Sequence, residues 1–448
     1  MEKKILMINP WIYDFAAYDF WVKPLGLLIM GSILRNNGYS VHLIDCLNSA
    51  HPKLQNEPSV KIPHKRYSGH GKFAKEVIPK PNALKYIPKN YNRYGITPRI
   101  FKEELESHNK PDVIFVTSMM TYWYPGVFDV IRITKSIFPD VPVVLGGNYV
   151  TLCREHATLS GADMIITGEG EARISDIFKS LLGETLSDIP DSDDLNSYPY
   201  PAYDLLPAGD QIPILTSRGC PFRCTYCASH LLSKKFRRRD PIRVVDEISY
   251  WNKHLGITHF SFYDDALMIT PEEFIIPMLK EIIKRKLSYN FHCPNGLHLR
   301  EISYPLSKLM FQAGFKTIRF GFETSDRTRQ ITIGGKATNE HLRDAVNSLK
   351  RAGYRSCDIG IYLLCGLPYQ EAREVIESIE YVKSCGARPI ITEYSPIPGT
   401  SLWKTSVSAS IFDIAGEPLF HNNSLLPCQW EKFTFESYQE LKLLTRNV

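Results

Sequence analysis

Residues 216–230 read TSRGCPFRCTYCASH, and the organisation of the whole chain follows outward from this stretch. Cys220, Cys224 and Cys227 are gathered here, whereas the other seven of the ten cysteines (Cys46, Cys153, Cys293, Cys357, Cys365, Cys385 and Cys428) are scattered singly. Three thiolates at spacings of four and three residues can wrap one metal centre and leave one coordination position without a protein sulfur. A structural zinc normally closes its tetrahedron with a fourth Cys or His, so a Cys3His site completed by His230 is one reading. An iron–sulfur cluster usually takes four Cys thiolates, so three ligands imply an iron reserved for another partner. Unrelated buried thiols fit poorly, because Gly219, Arg223 and other polar residues flank the loop.

The loop directly follows an apolar run, ILTSRG, and five similar runs come after it: HFSFYDD, NFHCPNG, TIRFGFET, DIGIYLLCGLP and IITEYSPIPG. Helical patterns separate them, including VVDEISYWNKHL, PEEFIIPMLKEIIKRK, EHLRDAVNSLKRAG and EAREVIESIEYVKSCG. Six strand–helix units in succession predict a partial parallel (β/α)6 barrel with function at the carboxyl ends of its strands.

Ahead of the barrel the alternation is similar but the motif is absent. KKILMINP, VHLIDC, DVIFVTS, VPVVLGG and DMIITGEG read as short strands that are apolar throughout, with helices between them. Such a pattern predicts a doubly wound parallel sheet buried on both faces, with ligands beyond the carboxyl ends of its strands. Residues 51–100 interrupt the pattern with eleven Lys/Arg against Glu57 and Glu76, a local net of 11 − 2 = +9 in a chain whose total is +5. An irregular solvated insertion is expected there, and a basic lid over an anionic substrate or cofactor tail is the sharper alternative. The acidic, Pro-containing stretch ETLSDIPDSDDLNSYPYPAYD has the composition of a linker. The expected domains are therefore 1–195, 196–410 and a short C-terminal extension, 411–448.

Hydrophobic residues make up 44% and charged residues 23% of the chain, the profile of a globular protein with a sizeable core rather than of a disordered or collagen-like one. No window approaches the length of apolar sequence that a membrane span requires, and MEKKILMINP lacks the layout of a signal peptide, so a cytoplasmic enzyme is expected.

CxxxCxxC with Tyr226 before the last Cys resembles the signature of the radical S-adenosylmethionine enzymes, over about residues 205–400. The resemblance implies that Cys220, Cys224 and Cys227 hold one 4Fe–4S cluster. Its open iron would bind S-adenosylmethionine, whose reductive cleavage yields a 5′-deoxyadenosyl radical. Other cofactor contacts follow by position: Asp264 and Asp265 for the methionine amine, where the wider family often has Gly-Gly-Glu, and Glu323 for the ribose hydroxyls. A carboxylate at a helix N-terminus is the alternative for Glu323. Gly366 and Pro368, in LLCGLPYQ, would lie against adenine. Arg319 and Lys336 could reach the methionine carboxylate, a solvated charge being the plainer reading of each. An external one-electron reductant of the flavodoxin or ferredoxin type is implied as well.

The first half resembles the cobalamin-binding domain of one branch of the same family. Trp21-Val22-Lys23-Pro24-Leu25-Gly26 stands where ordinary cobalamin domains carry D-x-H-x-x-G, keeping Gly26 but with Trp for Asp and Lys for His. Ser118-Met119-Met120 resembles the S-x-L element, and Gly146-Gly147 the Gly-Gly pair. Without the His, the corrin would be bound with no histidine lower ligand. GEGEARI, residues 168–174, recurs in this branch. A degenerate or nucleotide-binding domain is the alternative, although no dinucleotide fingerprint is present.

The resemblance implies C-methylation of an unactivated carbon in a small molecule, lipid or natural-product precursor. The alternative is radical cyclisation, ring contraction or another rearrangement without net methyl transfer. Methylthiolation of transfer RNA fits poorly, because the first half has only Cys46 and Cys153 and no second CxxC group, so no nucleic-acid partner is expected. The substrate itself and the oligomeric state are not written in the sequence.

Overall fold

The computed structural model describes residues 3–64 and 68–446, so residues 65–67 of the basic insertion and the terminal pairs lie outside the described residues. The chain divides into two compact units, 1–209 and 210–448.

The first unit is built on five short parallel strands, β1 (Lys4–Asn9), β2 (Ser40–Asp45), β3 (Val113–Val116), β4 (Val143–Leu145) and β5 (Met164–Ile165), in the order β5-β4-β3-β1-β2. β1, β3 and β4 are buried almost throughout. The helices Leu25–Asn36 and Ile174–Leu182 pack Leu27, Met30, Leu34, Ile177 and Phe178 into one core with Ile5, Met7 and Phe115. This is the predicted doubly wound architecture, with the switch point between β1 and β3.

Residues 51–100 are more ordered than expected. Tyr91–Tyr94 pairs antiparallel with both Ile12–Asp14 and Lys75–Ile78, and Gly71–Lys72 pairs with Tyr18–Asp19. All four residues of Tyr91–Tyr94 are buried, and the Arg93 guanidinium is paired with Glu76. The sequence hid this strand because its polar members, Asn92 and Arg93, are buried with partners on other segments.

The first unit also extends further than the sequence estimate of 195. Ser32 Oγ donates to Tyr200 O at 2.6 Å, Ala202 N donates to Leu28 O at 3.0 Å, and Arg35 Nη1 meets Asp204 Oδ2 at 2.7 Å. The linker-like composition therefore belongs to a strap laid across the helix Leu25–Asn36.

The second unit is a six-stranded parallel sheet of β6 (Gln211–Ile214), β7 (His259–Phe262), β8 (Asn290–His298), β9 (Phe315–Glu323), β10 (Ile359–Cys365) and β11 (Arg388–Glu393), paired in sequence order. Phe260, Phe262, Phe291 and Phe315 stack on one face. Residues 411–448 are part of this unit: Leu425, Cys428 and Phe433 are buried, and the helix Phe435–Leu444 packs on Ala372–Ser384. Among the described residues no helix is long and apolar enough to cross a membrane.

Candidate functional site

The three-cysteine loop leaves the carboxyl end of β6 and is clamped on two sides. At Gly219, φ is +80° and a Cβ would lie 2.5 Å from Lys235 O. At Gly334, φ is +130° and a Cβ would lie 2.9 Å from Cys224 Cα, while Thr225 N donates to Ile333 O at 3.1 Å. Both positions need glycine, because positive φ and backbone contact exclude a side chain. Burial pushes the Cys220 thiol up to about 11 and raises that of Cys224 against the opposing charge of Lys336. Metal ligation replaces the proton on a thiol, so these sulfurs suit a cation that drives deprotonation. In this conformation no three His, Cys, Asp or Glu side chains among the described residues surround a common point. The fit to a cluster therefore rests on the donor set, three thiols on one loop.

The two aspartates after β7 have different environments. Asp264 is buried and accepts from Thr216 Oγ1 at 2.7 Å and Ser217 Oγ at 2.6 Å, as well as from Thr216 N at 3.1 Å. Burial raises its pKa against the pull of those donors. Those bonds fall on Oδ1 and tie the start of the cysteine loop to β7, and Oδ2 takes only Thr216 N at 3.3 Å. Asp265 is exposed and accepts from Ser229 Oγ at 2.7 Å beside Cys227, so it is the one open to a ligand.

Glu323 ends β9 with φ +73° and is buried. Lys336 Nζ lies 2.5 Å from its Oε1 and 3.3 Å from the Tyr226 hydroxyl. Burial opposes the charge of Lys336, but Glu323 and the Cys224 thiol more than offset it and hold the ammonium above the ordinary lysine range. Lys336 is thus no solvated charge; it joins the cysteine loop to the end of β9. Gly321 makes room for this pair, since a Cβ there would meet Lys336 Nζ at 2.6 Å and Glu323 Oε1 at 2.8 Å. Such a cluster offers an ammonium, a phenol and a carboxylate to one ligand carrying hydroxyl, amine and carboxylate groups.

Gly366 and Pro368 are buried at the end of β10, and a Cβ on Gly366 would face the Leu426 side chain at 3.3 Å. The C-terminal segment therefore covers this turn. Sequence reasoning missed His298, at the end of β8. It is 5% exposed and stacks on Phe222 of the cysteine loop at 4.8 Å, and its Nδ1 is buried without a partner. Burial, reinforced by Lys336 and Arg300, lowers its pKa to about 3, so the ring is neutral. A lone histidine just past the run NFHCPNG was the only signal.

In the first unit, Ser118, Gly146 and Gly147 meet at the carboxyl ends of β3 and β4. Ser118 Oγ donates to Gly146 O at 2.7 Å. A Cβ on Gly147 would lie 2.2 Å from Ser118 O, so that glycine is required by the turn itself. Gly146 has only Ile166 O at 3.6 Å, and Gly26, exposed at the start of Leu25–Asn36, has nothing within 4 Å. These two leave space for a ligand to approach backbone. Asn9, Pro10, Trp11, Thr117, Ser118 and Met119 line a crevice at the β1/β3 switch point. Lys23 acts on Asp45, whose pKa burial raises and Lys23 lowers. The basic insertion holds a separate pocket of about 440 Å3, edged by Lys61, Lys72 and Lys75 and walled by Phe15, Phe73 and Tyr94.

Comparison with known proteins agrees with this layout. The radical SAM superfamily profile matches residues 214–379, and the B12 binding domain profile matches 94–178. The second match takes in Ser118, Gly146 and Gly147 but begins beyond Gly26. An uncharacterized methyltransferase of Pyrococcus horikoshii is 27% identical over 353 residues, 72% of each chain. The cytidylyl-2-hydroxyethylphosphonate methyltransferase of Streptomyces wedmorensis is 20% identical over 92% of this chain and 83% of its own. Among solved structures, the radical S-adenosylmethionine methyltransferase TsrM from Kitasatospora setae superposes with a TM-score of 0.66. It shares 14% identity, over 92% of this chain and 77% of that one.

Proposed function

We propose that this chain, which carries a radical SAM superfamily match and a B12 binding domain match, is a cobalamin-dependent radical S-adenosylmethionine enzyme that methylates an unactivated carbon of a small organic molecule. The observation that carries this reading is the joining of the three-cysteine loop to Glu323 through Lys336 and Tyr226, in a chain that also carries a B12 binding domain. Relatives of similar length, from Pyrococcus horikoshii and Streptomyces wedmorensis, bear methyltransferase names.

When bound, the cluster and S-adenosylmethionine supply a radical that abstracts hydrogen, and cobalamin supplies the methyl group. The protein's part is to hold and orient. Cys220, Cys224 and Cys227 provide three thiolates and leave a fourth position to the S-adenosylmethionine amine and carboxylate. Asp265, which accepts from Ser229 two residues past Cys227, can accept from an ammonium, and Lys336 and Tyr226 can donate to a carboxylate. Glu323 can accept from paired hydroxyls once a ligand draws Lys336 away. Leu364, Leu367, Tyr394 and Cys428 pack with Tyr226 into an apolar cluster that excludes water from one side of this site. Gly26 and Gly146 leave the backbone of the first unit open to a corrin tail.

Anaerobically reconstituted protein, given methyl-labelled S-adenosylmethionine, a reductant, hydroxocobalamin and a small-molecule cell extract, tests the reading by mass spectrometry. Methyl transfer yields S-adenosylhomocysteine together with 5′-deoxyadenosine and a labelled product. 5′-Deoxyadenosine with neither of the others contradicts it.

A further inference from the structure

Alternate residues of a strand share a face, so Thr317, Arg319 and Gly321 look the same way, and a Cβ on Gly321 would meet Lys336 Nζ at 2.6 Å and Glu323 Oε1 at 2.8 Å, which turns that face toward the side that holds Lys336. On that face Arg319 of β9 is in register with Gly360 of β10, and Gly360 with Arg388 of β11. Gly360, lacking a side chain, makes room between the two strands for Arg319 and for Ile390 of β11, whose Cδ1 would lie 2.7 Å from a Cβ there. A Cβ there would lie 2.6 Å from Arg319 Nη1 and 2.7 Å from its Cδ, so the Arg319 side chain extends across the glycine toward Arg388. Tyr362, one row nearer the mouth, donates its hydroxyl to Pro294 O at 2.8 Å and accepts from Arg319.

Among the described residues no carboxylate is paired with either arginine, and Arg319 Nη1 donates to Ile318 O at 3.2 Å. The nearest acids along the strands are engaged elsewhere, Glu323 with Lys336 and Glu393 with Lys442 and Tyr438. Burial, and then the charge of Arg388, pulls the Arg319 guanidinium below the ordinary arginine range. Arg388 Nε and Thr392 Oγ1, on the same face of β11, are buried without a partner. Like charges taken out of water without a counter-charge are costly, whereas paired guanidinium forks match carboxylate and phosphate oxygens.

We propose that Arg319 and Arg388 form an anion-binding site inside the barrel that takes a carboxylate or phosphate group of the substrate. This names the substrate class for the methyl-transfer reading and rests on it. The S-adenosylmethionine carboxylate is the other source of such an anion. Arg319 pairs with Gly360 and Glu323 with Leu363, so Arg319 lies about three strand rises, about 10 Å, deeper, which favours a group at the far end of the substrate.

Calorimetric titration of the reconstituted full chain with inorganic phosphate, at constant ionic strength, tests the site. Wild type should bind saturably, and saturating S-adenosylmethionine should leave that affinity unchanged. Arg319→Gln and Arg388→Gln should each weaken phosphate by about tenfold or more, the loss of one charge-assisted bond. Arg388→Lys, which keeps the charge but loses the fork, should weaken it less and serves if a glutamine variant does not fold. No saturable binding by wild type, equal binding by the variants, or displacement of phosphate by S-adenosylmethionine would overturn the proposal. Cleavage of S-adenosylmethionine to 5′-deoxyadenosine, measured in the same preparation, reports on the functional reading independently of the phosphate result.

Discussion

The barrel and the doubly wound unit both gather their candidate ligand-binding residues at the carboxyl ends of parallel strands, but they use different parts of the chain to do so. In the barrel, side-chain chemistry carries the site: three thiols, the Glu323–Lys336 pair and the Tyr226 phenol, each held by partners distant in sequence. In the first unit the site is backbone and space: Gly26 and Gly146 leave room, and Ser118 Oγ is engaged with Gly146 O. A site of the first kind fails when one functional group is exchanged. A site of the second kind tolerates exchange until volume is added.

The largest effect should come from the thiols. Replacing Cys220, Cys224 and Cys227 together with Ala should remove all reconstituted iron, against about four irons per chain in the wild type. Cys357→Ser, at an exposed thiol remote in sequence, should keep it. Iron retained in the triple variant would show that side-chain chemistry at this loop does not define the barrel site.

Next comes a contrast among glycines. Gly147→Ala places a Cβ 2.2 Å from Ser118 O at φ +104° and should lower stability by about 3 kcal/mol in urea unfolding. Gly26→Ala meets nothing within 4 Å and should lie within about 0.5 kcal/mol of wild type. Equal stabilities would mean that the two glycines do not divide into a structural and a ligand-facing one.

His298 supplies a smaller, pH-dependent effect on the barrel side. Its folded pKa of about 3 lies below the ordinary 6.5, so the unfolded chain binds the proton first as pH falls. Its contribution is fully retained above about 6.5 and is lost progressively toward about 3, at up to about 1.4 kcal/mol per pH unit. His298→Gln should flatten that part of the stability profile; an unchanged slope would place the ring in water.

These contrasts also explain what the sequence disclosed. Apolar runs ending in polar residues made five of the six barrel strands legible, and the cysteine spacing marked the loop. The first strand was placed too late, at ILTSRG, whereas β6 is Gln211–Ile214 and Ser217–Arg218 pairs antiparallel with Arg237–Arg238. Lys336 read as solvated because it lies in a connection between two helices and its partners, Glu323 and Tyr226, belong to other segments. Asp264 read as a ligand-binding group, and the sequence did not disclose that Thr216 and Ser217, just past the end of β6, both donate to its Oδ1. Tyr91–Tyr94 was hidden because its pairing partners, residues 12–14 and 75–78, both precede it in the chain and the first is far upstream. Local pattern reports periodicity; it does not report which distant group satisfies a buried charge.

The smallest expected effect is at Lys23. Its charge acts on Asp45 and it is assigned no bond to cobalt, so Lys23→Ala should leave corrin affinity nearly unchanged. Strong loss would mean that a side chain, not open backbone, holds the corrin in the first unit.

The account is tested most directly by incubating the purified, reconstituted protein with hydroxocobalamin, desalting it and reading the visible spectrum together with the iron content. Wild type should retain about one corrin beside about four irons per chain. Gly146→Val, which adds a branched side chain where only Ile166 O stands within 4 Å, should keep the iron and lose the corrin. A wild-type chain that retains no corrin, or a Gly146→Val chain that retains as much as wild type, would contradict the account.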